Sequence, residues 1–270
     1  MNVYKEYIDF ILKLQASVRS KAISATPKNP KFTKFVNFLK NLELLVDEVP
    51  PIQQAMRYGN KAFVTWYSKA TEVNIIKLNK KKGETFFTEL LVQLGEDKEG
   101  AIVELICYFN DSFGSSMRID YGTGHEMNFL ILLLCLEKLG FYGVQDYESV
   151  VRDIFYGYMA LMRKVQDVYK LEPAGSKGAW GLDDYHFVPF IFGGAELEDH
   201  ALIKSPSDIH RDDILDAYGD EFMYLNCIRF IKKVKFAAPF HETSPLLNNI
   251  SGAANWSKIA NVRFFFVLKF

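Results

Sequence analysis

Two glycine-bearing stretches hold most of the residues able to do chemistry. Residues 118–126 set Arg118, Asp120, Gly122, Thr123, Gly124, His125 and Glu126 directly before a strongly apolar segment. A cation, two glycines and a hydroxyl at the start of a helix suit an anion. The first N–H groups of a helix have no intrahelical acceptor and carry the positive end of its dipole, and glycine lets a phosphate come close. Arg118 would add a charge-assisted hydrogen bond. The same residues also read as a plain turn, in which the glycines bend the chain, Thr123 caps the helix and Arg118 pairs with Asp120. Local sequence alone favours this turn, since short motifs match often by chance. The stretch lacks the third glycine of a dinucleotide loop and the Gly-Lys-Ser/Thr of a P-loop. It also fails as a zinc-protease motif, because Phe129 stands where the second histidine would fall, so His125 reads as a structural hydrogen-bonder.

Residues 173–185 combine Gly175, Gly178 and Gly181 with the adjacent carboxylates Asp183 and Asp184. Oxygen ligands of this kind suit a divalent metal, with Asp184 and a backbone carbonyl near Gly178 as part of the shell and water or phosphate completing it. The competing reading is a helix cap, since Asp at a helix start commonly accepts from backbone N–H groups. Spacing leaves both open. Aromatic side chains gather near the two loops: Tyr121, Phe129, Trp180, Tyr185, Phe187, Phe190 and Phe192. Most read as core. A subset near Pro189 and Pro239 is a candidate platform for an apolar or prolyl peptide.

The elements that must position these loops read as helices. Apolar residues recur at three- and four-residue steps over 3–18 and 32–49, the latter stopped by Pro50 and Pro51. Asn60 caps a third helix through Phe63, Val64 and Tyr67; residues 80–83 are a basic solvated break; residues 100–113 are helical. Residues 125–139 are apolar nearly all round, marking a helix packed on several sides, and Gly140 suits the left-handed position after its end. Helical spacing returns over 147–169 and 221–233. Without strand alternation, repeats or low-complexity linkers, the fold class expected is all-α, one compact and at most lobed helical domain.

Composition narrows the classes further. The 32 Lys+Arg against 33 Asp+Glu leave a net charge of -1, with no positive excess for a nucleic-acid backbone. Cys107, Cys135 and Cys227 form no Cys-x-x-Cys pair and read as reduced, mostly buried thiols. The first ten residues carry Lys5, Glu6 and Asp9 and so lack the apolar run of a signal peptide, and no stretch approaches the ~20 residues of a membrane helix. The expectation is a cytoplasmic or nuclear protein with neither nucleic acid nor membrane as partner.

Several segments in order, Arg57 to Ala62 with Thr65-Trp66-Tyr67, Arg118 to Glu126, Met162 to Gln166, and Glu172 to Phe190, resemble the protein phosphatase 2A activator family, also called phosphotyrosyl phosphatase activators. Ile191-Phe192-Gly193, Pro239 to Glu242, Asn249-Ile250-Ser251 and Trp256-Ser257-Lys258 extend the resemblance, so that residues 1–261 read as one domain of this type. The resemblance implies an all-α fold and an activator of the phosphatase 2A catalytic subunit that acts with ATP and Mg²⁺. It also implies peptidyl-prolyl cis-trans isomerase activity on a proline-containing peptide. Carried over by motif, Arg118, Thr123 and Gly124 are the expected ATP contacts and Gly178 and Asp184 the expected Mg²⁺ contacts. A homodimer is a further expected assembly. Residues 262–270, Val-Arg-Phe-Phe-Phe-Val-Leu-Lys-Phe, depart from the family pattern, and the resemblance implies that the usual C-terminal segment, which also touches ATP, is missing. A fold that has lost nucleotide binding with that segment is the alternative.

Overall fold

In chain order the computed structural model forms α1 (Val3–Ser17), α2 (Thr33–Glu48), α3 (Ala62–Ile75), α4 (Glu99–Asp111), β1 (Asp120–Tyr121) and α5 (Thr123–Lys138). Then comes α6, in which Tyr147–Ser149, a π-helical stretch Val150–Phe155 and Tyr156–Tyr169 follow without a break. Next are β2 (Glu172–Pro173), α7 (Val188–Glu196), α8 (Asp212–Tyr218), α9 (Met223–Val234), α10 (Phe240–Thr243), α11 (Pro245–Ile250) and α12 (Trp256–Ala260). The structure describes residues 3–25, 27–55, 59–75, 99–175, 178 and 181–261. The basic stretch 80–83, Arg57 and Tyr58, Trp180 and the apolar tail 262–270 lie outside the described residues. The chain divides into two compact units, Met1–Pro27 with Gly175–Phe270, and Lys28–Ala174. The all-α expectation holds, apart from one two-stranded parallel ribbon of two residues per strand.

In the unit Lys28–Ala174, α2 buries Phe35, Leu39, Leu42 and Val46, one stripe at helical spacing, and packs along α6. Helix α5 buries Phe129, Leu130 and Leu132 to Leu134 as well as Leu136, which is why its sequence is apolar on almost every side. It ends as its glycine predicts. Gly140 has φ +83°, its N–H donates to Glu137 O and the Phe141 N–H to Leu136 O, the paired bonds of a Schellman stop.

Helix α6 carries its apolar residues in pairs four apart: Val150 and Val151, Ile154 and Phe155, Tyr158 and Met159, all buried. A strict four-residue step drifts about 40° per step on a 3.6-residue helix. The wider π winding, with Tyr156 N–H donating to Val151 O, absorbs the drift and keeps the pairs on the core side.

In the other unit all nine residues of α7 are buried, and α1, α9 and α12 pack on it. Buried Gln15 Nε2 on α1 donates to Ile191 O at 3.2 Å and to Ala260 O at 2.6 Å, tying three helices through one side chain. Buried Glu196 accepts the Met223 N–H at 2.7 Å, placing a carboxylate at the N-terminus of α9, where the helix dipole favours it. The backbones of α7 and α9 almost touch. A Cβ at Gly193 would lie 2.1 Å from Tyr224 N, whereas one at Gly194 would come no nearer than 3.1 Å, to the Ile259 Cγ2.

Two sequence expectations need correcting. The helix-cap reading of residues 183–184 gives way to a local turn: Asp183 Oδ2 accepts the N–H groups of Tyr185 (3.2 Å) and His186 (2.9 Å), and α7 starts only at Val188, with Pro189 in its first turn. The cysteines are all free, but only Cys227 is buried; Cys135 is partly covered and Cys107 exposed, since Cys107 falls on the outer side of α4.

The α7–α9 crossing predicts that Gly193→Ala lowers the denaturant midpoint by the equivalent of about 2 kcal/mol or more, while Gly194→Ala costs less. A pH effect follows from His200, whose ring packs edge-on against Tyr218 and Phe222 and whose Nδ1 accepts the Ile203 N–H at 2.9 Å. Burial lowers its pKa from the ordinary 6.5, so the neutral form is favoured in the fold. This contribution is therefore complete above about pH 6.5 and lost as pH falls through the lowered value. Urea midpoints should drop between pH 7 and pH 5 in the wild type and drop less in His200→Asn, whose amide oxygen accepts the same bond without titrating.

Candidate functional site

The glycine loop hangs from a turn that closes on itself. Gly114 has φ +103°, and a Cβ there would sit 2.5 Å from Asp120 O. Ser115 N–H donates to Asp120 O at 3.0 Å and Ile119 N–H to Ser115 O at 2.7 Å, with Ile119 itself at φ +53°. This turn delivers Asp120 and Tyr121 into the parallel ribbon, where Glu172 N–H donates to Ile119 O (3.0 Å) and Ala174 N–H to Tyr121 O (2.8 Å). Pro173 falls between those two donors, where its missing N–H costs nothing.

Asp120 is the electrostatic centre of the loop. Its carboxylate is buried; Oδ2 accepts from Arg118 Nε at 2.6 Å, and Oδ1 lies 3.8 Å from His125 Nε2, too far for a hydrogen bond. Arg118 is 63% exposed, so it reaches Asp120 while keeping most of its guanidinium in solvent. His125 Nδ1 bonds to Asp111 O at 2.7 Å, the structural role expected of it, and its ring stacks on Tyr121.

Gly122, and not Thr123, is the cap residue of α5, and Thr123 is the first helical position; no side chain caps the helix. The two glycines differ in what surrounds them. A Cβ at Gly122 would fall 2.4 Å from Ala174 O, so this glycine permits the strand contact. Gly124 is exposed, and a Cβ there would meet nothing within 4 Å. Glycine in a helix costs up to ~1 kcal/mol against alanine, and no contact among the described residues accounts for it at this position. His125 and Glu126 N–H groups return to Gly122 O, whereas the first helical N–H groups, of Thr123 and Gly124, precede the intrahelical ladder. Helix N–H groups in this position are the donors an anion would use, with Arg118 nearby in sequence and Gly124 carrying no side chain over the backbone.

The second loop belongs to the other unit. Gly178 has φ +59°, a conformation that favours glycine, and its carbonyl accepts the Gly181 N–H at 3.0 Å. Asp184 Oδ2 pairs with Lys235 Nζ at 2.8 Å, both side chains about four-fifths buried. Among the described residues no group of three or more His, Cys, Asp or Glu is placed to hold a metal. Such a site fits Mg²⁺ only in the form that ion commonly takes, one or two carboxylates with phosphates and water completing the shell. Of the aromatics flagged from sequence, Tyr121, Phe129, Phe190 and Phe192 are fully buried core, and Tyr185 and Phe187 are partly exposed.

Comparison with known proteins decides the family. The model described as "Phosphotyrosyl phosphate activator (PTPA) protein" matches residues 1–263. The chain belongs to this family. Among curated members of the PTPA family, it is 41% identical over 269 residues to the probable serine/threonine-protein phosphatase 2A activator 2 of Dictyostelium discoideum, covering 96% of this chain and 55% of that one. It is 40% identical to the probable activator 1 of the same organism (94% and 75%) and 40% identical to the activator 2 of Candida albicans (95% and 69%). The chain thus spans little over half the length of the first and about seven tenths of the others. The crystal structure of the PP2A phosphatase activator Ypa1 PTPA1 superposes with a TM-score of 0.78 at 29% identity, over 97% of this chain and 80% of that one.

Sequence reasoning found the PTPA-type loops but missed Lys235, which lies 51 residues from its partner Asp184 and carries no local signal. It also weighed Asp120 only as a partner for Arg118, not as the buried acid between Arg118 and His125. The glycine geometry predicts opposite stabilities. Gly122→Ala should destabilise by about 2 kcal/mol or more, and Gly124→Ala should stabilise by roughly 0.5 kcal/mol, in thermal or urea unfolding.

Proposed function

We propose that this chain activates a phosphatase 2A catalytic subunit, and that it does so with ATP and Mg²⁺. Arg118, Thr123 and Gly124 contact the nucleotide, and Gly178 and Asp184 contact the metal. Relatives that align with nearly all of this chain are named phosphatase 2A activators, which supports the partner. The observation that carries the nucleotide reading is Gly124, a helical glycine with open space at its Cβ beside an unladdered pair of N–H groups. Bound nucleotide would supply the phosphate oxygens that complete the metal's shell. In the unit Lys28–Ala174, α5 would offer its N–H groups and Arg118 its planar fork to phosphate, and in the other unit Asp184 would offer one carboxylate to the metal. Isomerase activity toward a prolyl peptide belongs to the same proposal. It needs only apolar seating of the ring and a hydrogen bond to the twisted amide, to which Tyr185 and Phe187, partly exposed aromatics of the second loop, would contribute.

A second reading rests on the ion pairs. Arg118 already holds Asp120, and Asp184 already holds Lys235, so both could be structural in a scaffold without nucleotide.

Calorimetry with Mg·ATP and capture of the phosphatase catalytic subunit with and without Mg·ATP separate the two. Under the nucleotide reading, Arg118→Ala weakens ATP binding about 10- to 100-fold with little change in melting temperature, and Arg118→Lys retains part of the binding because it keeps the charge without the fork. Asp184→Asn lowers Mg·ATP affinity, whereas Lys235→Met, which leaves the carboxylate in place, does not. If instead Asp184→Asn and Lys235→Met melt equally early, and neither they nor Arg118→Ala alter ATP binding or ATP-dependent capture, the scaffold reading stands.

A further inference from the structure

The two ends of the glycine loop are fastened to consecutive carbonyls at the end of α4. On one side His125 Nδ1 bonds directly to Asp111 O at 2.7 Å. On the other the connection runs through a residue remote in sequence. Tyr158 OH donates to Ser112 O at 2.7 Å, so its oxygen is left to accept, and Tyr121 OH, 2.7 Å away, is the donor to it. Tyr121 immediately precedes Gly122. The Tyr158 ring also lies flat on Phe129 of α5, with centroids 3.8 Å apart and planes within 4°. One fully buried side chain therefore touches the strand that enters the loop, the carbonyl at the end of α4 and the helix that leaves the loop.

Its placement depends on the π-helical turn just before it. Without that extra residue, the four-residue spacing of the buried pairs would rotate Tyr158 away from the direction set by Val150 and Ile154. Such insertions persist where they place a side chain that a regular helix would not.

We propose that Tyr158 is a positioning residue for the anion-binding loop, holding Tyr121 and α5 in fixed relation so that the N–H groups of Thr123 and Gly124 stay open and aimed together. Its role toward ATP rests on the nucleotide reading above; its role in holding the loop does not. Tyr158→Phe keeps the ring on Phe129 and removes only the hydroxyl. Tyr142→Phe is the matched control: it also removes a buried hydroxyl bonded to a carbonyl, Leu133 O at 2.7 Å, but about 15 Å along α5 from Thr123.

Two measurements on the full chain test the proposal, amide hydrogen exchange of His125 and Glu126, whose N–H groups donate to Gly122 O, without ligand, and calorimetric affinity for Mg·ATP. Both variants should melt a few degrees lower. Tyr158→Phe alone should speed exchange at 125 and 126 and weaken Mg·ATP about five- to tenfold, and Tyr121→Phe should do the same, with no added effect in the double variant. Unchanged exchange in Tyr158→Phe, or equal acceleration in Tyr142→Phe, overturns the proposal. Faster exchange with unchanged affinity, in a protein where Arg118→Ala does lose affinity, also overturns it, because loop order would then be irrelevant to binding. If Arg118→Ala binds Mg·ATP as the wild type does, it is the nucleotide reading that fails, and the exchange result alone decides whether Tyr158 holds the loop.

Discussion

A loop that is to receive an anion on its backbone must be held still by groups other than the N–H donors it offers. The unit Lys28–Ala174 meets that constraint with side chains and carbonyls drawn from four elements. The ribbon of β1 and β2 uses the carbonyls of Ile119 and Tyr121, His125 takes Asp111 O, and the tyrosine pair takes Ser112 O. Each of these fasteners spends an acceptor or a side chain, and none spends the first helical N–H groups of α5. The packing behind them follows from this demand. Phe129 must be fully buried for Tyr158 to lie on it, and α5 must be apolar on nearly every side to sit where α4 and α6 can reach it. Tyr158 needs its hydroxyl satisfied at that depth, since an orphaned buried phenol costs more than its hydrogen bond returns.

Much of the fold was legible because helices are local. The three- and four-residue apolar steps located α1, α2, α5, α6 and α9 to within about two residues, and Gly140 marked the end of α5 because left-handed backbone is cheap only for glycine. What was illegible depended on distant partners. The ribbon joins residues 52 apart with two-residue strands, too short for any alternation to show. The π turn in α6 differs from a regular helix by one residue, a difference that becomes visible only when Tyr158 is seen to meet Tyr121. Asp183 read as a possible helix cap and instead closes a separate turn ahead of α7. Exposure of Cys107 turns on which side of α4 meets α5, which composition does not specify.

The same division runs through the candidate site. The Arg118–Asp120 pair was readable because its members are two residues apart, whereas Lys235, the partner of Asp184, was not. At the first loop the two local readings turn out to be compatible. The structure has the Arg118–Asp120 pair of a plain turn, and it also has a glycine, Gly124, that the turn does not need. Gly122 alone would have served a turn, because its contact with Ala174 O already requires the absence of a side chain. A reading based only on glycine spacing treats the two as equivalent. Their surroundings show that one is used by the fold and the other is not.

Ion pairing before any ligand arrives need not oppose binding. An arginine offers five N–H donors, and the contact with Asp120 engages Nε, which leaves the outer edge of the fork for a second acceptor while Asp120 fixes its direction. The pair costs little to keep because Arg118 is mostly solvated, and it removes part of the ordering entropy that a free arginine would lose on binding. Asp184 and Lys235 are a different case. Both are mostly buried, so separating them strands charge, and a cation added at Asp184 must share the carboxylate with the lysine and not replace it. Two carboxylate oxygens make sharing feasible, but the nearby ammonium repels a second cation unless phosphate charge accompanies it. Electrostatics at Asp184 therefore favours a metal that arrives already carried by an anion over a metal binding alone, which is the same chemical form that the short supply of ligands among the described residues requires.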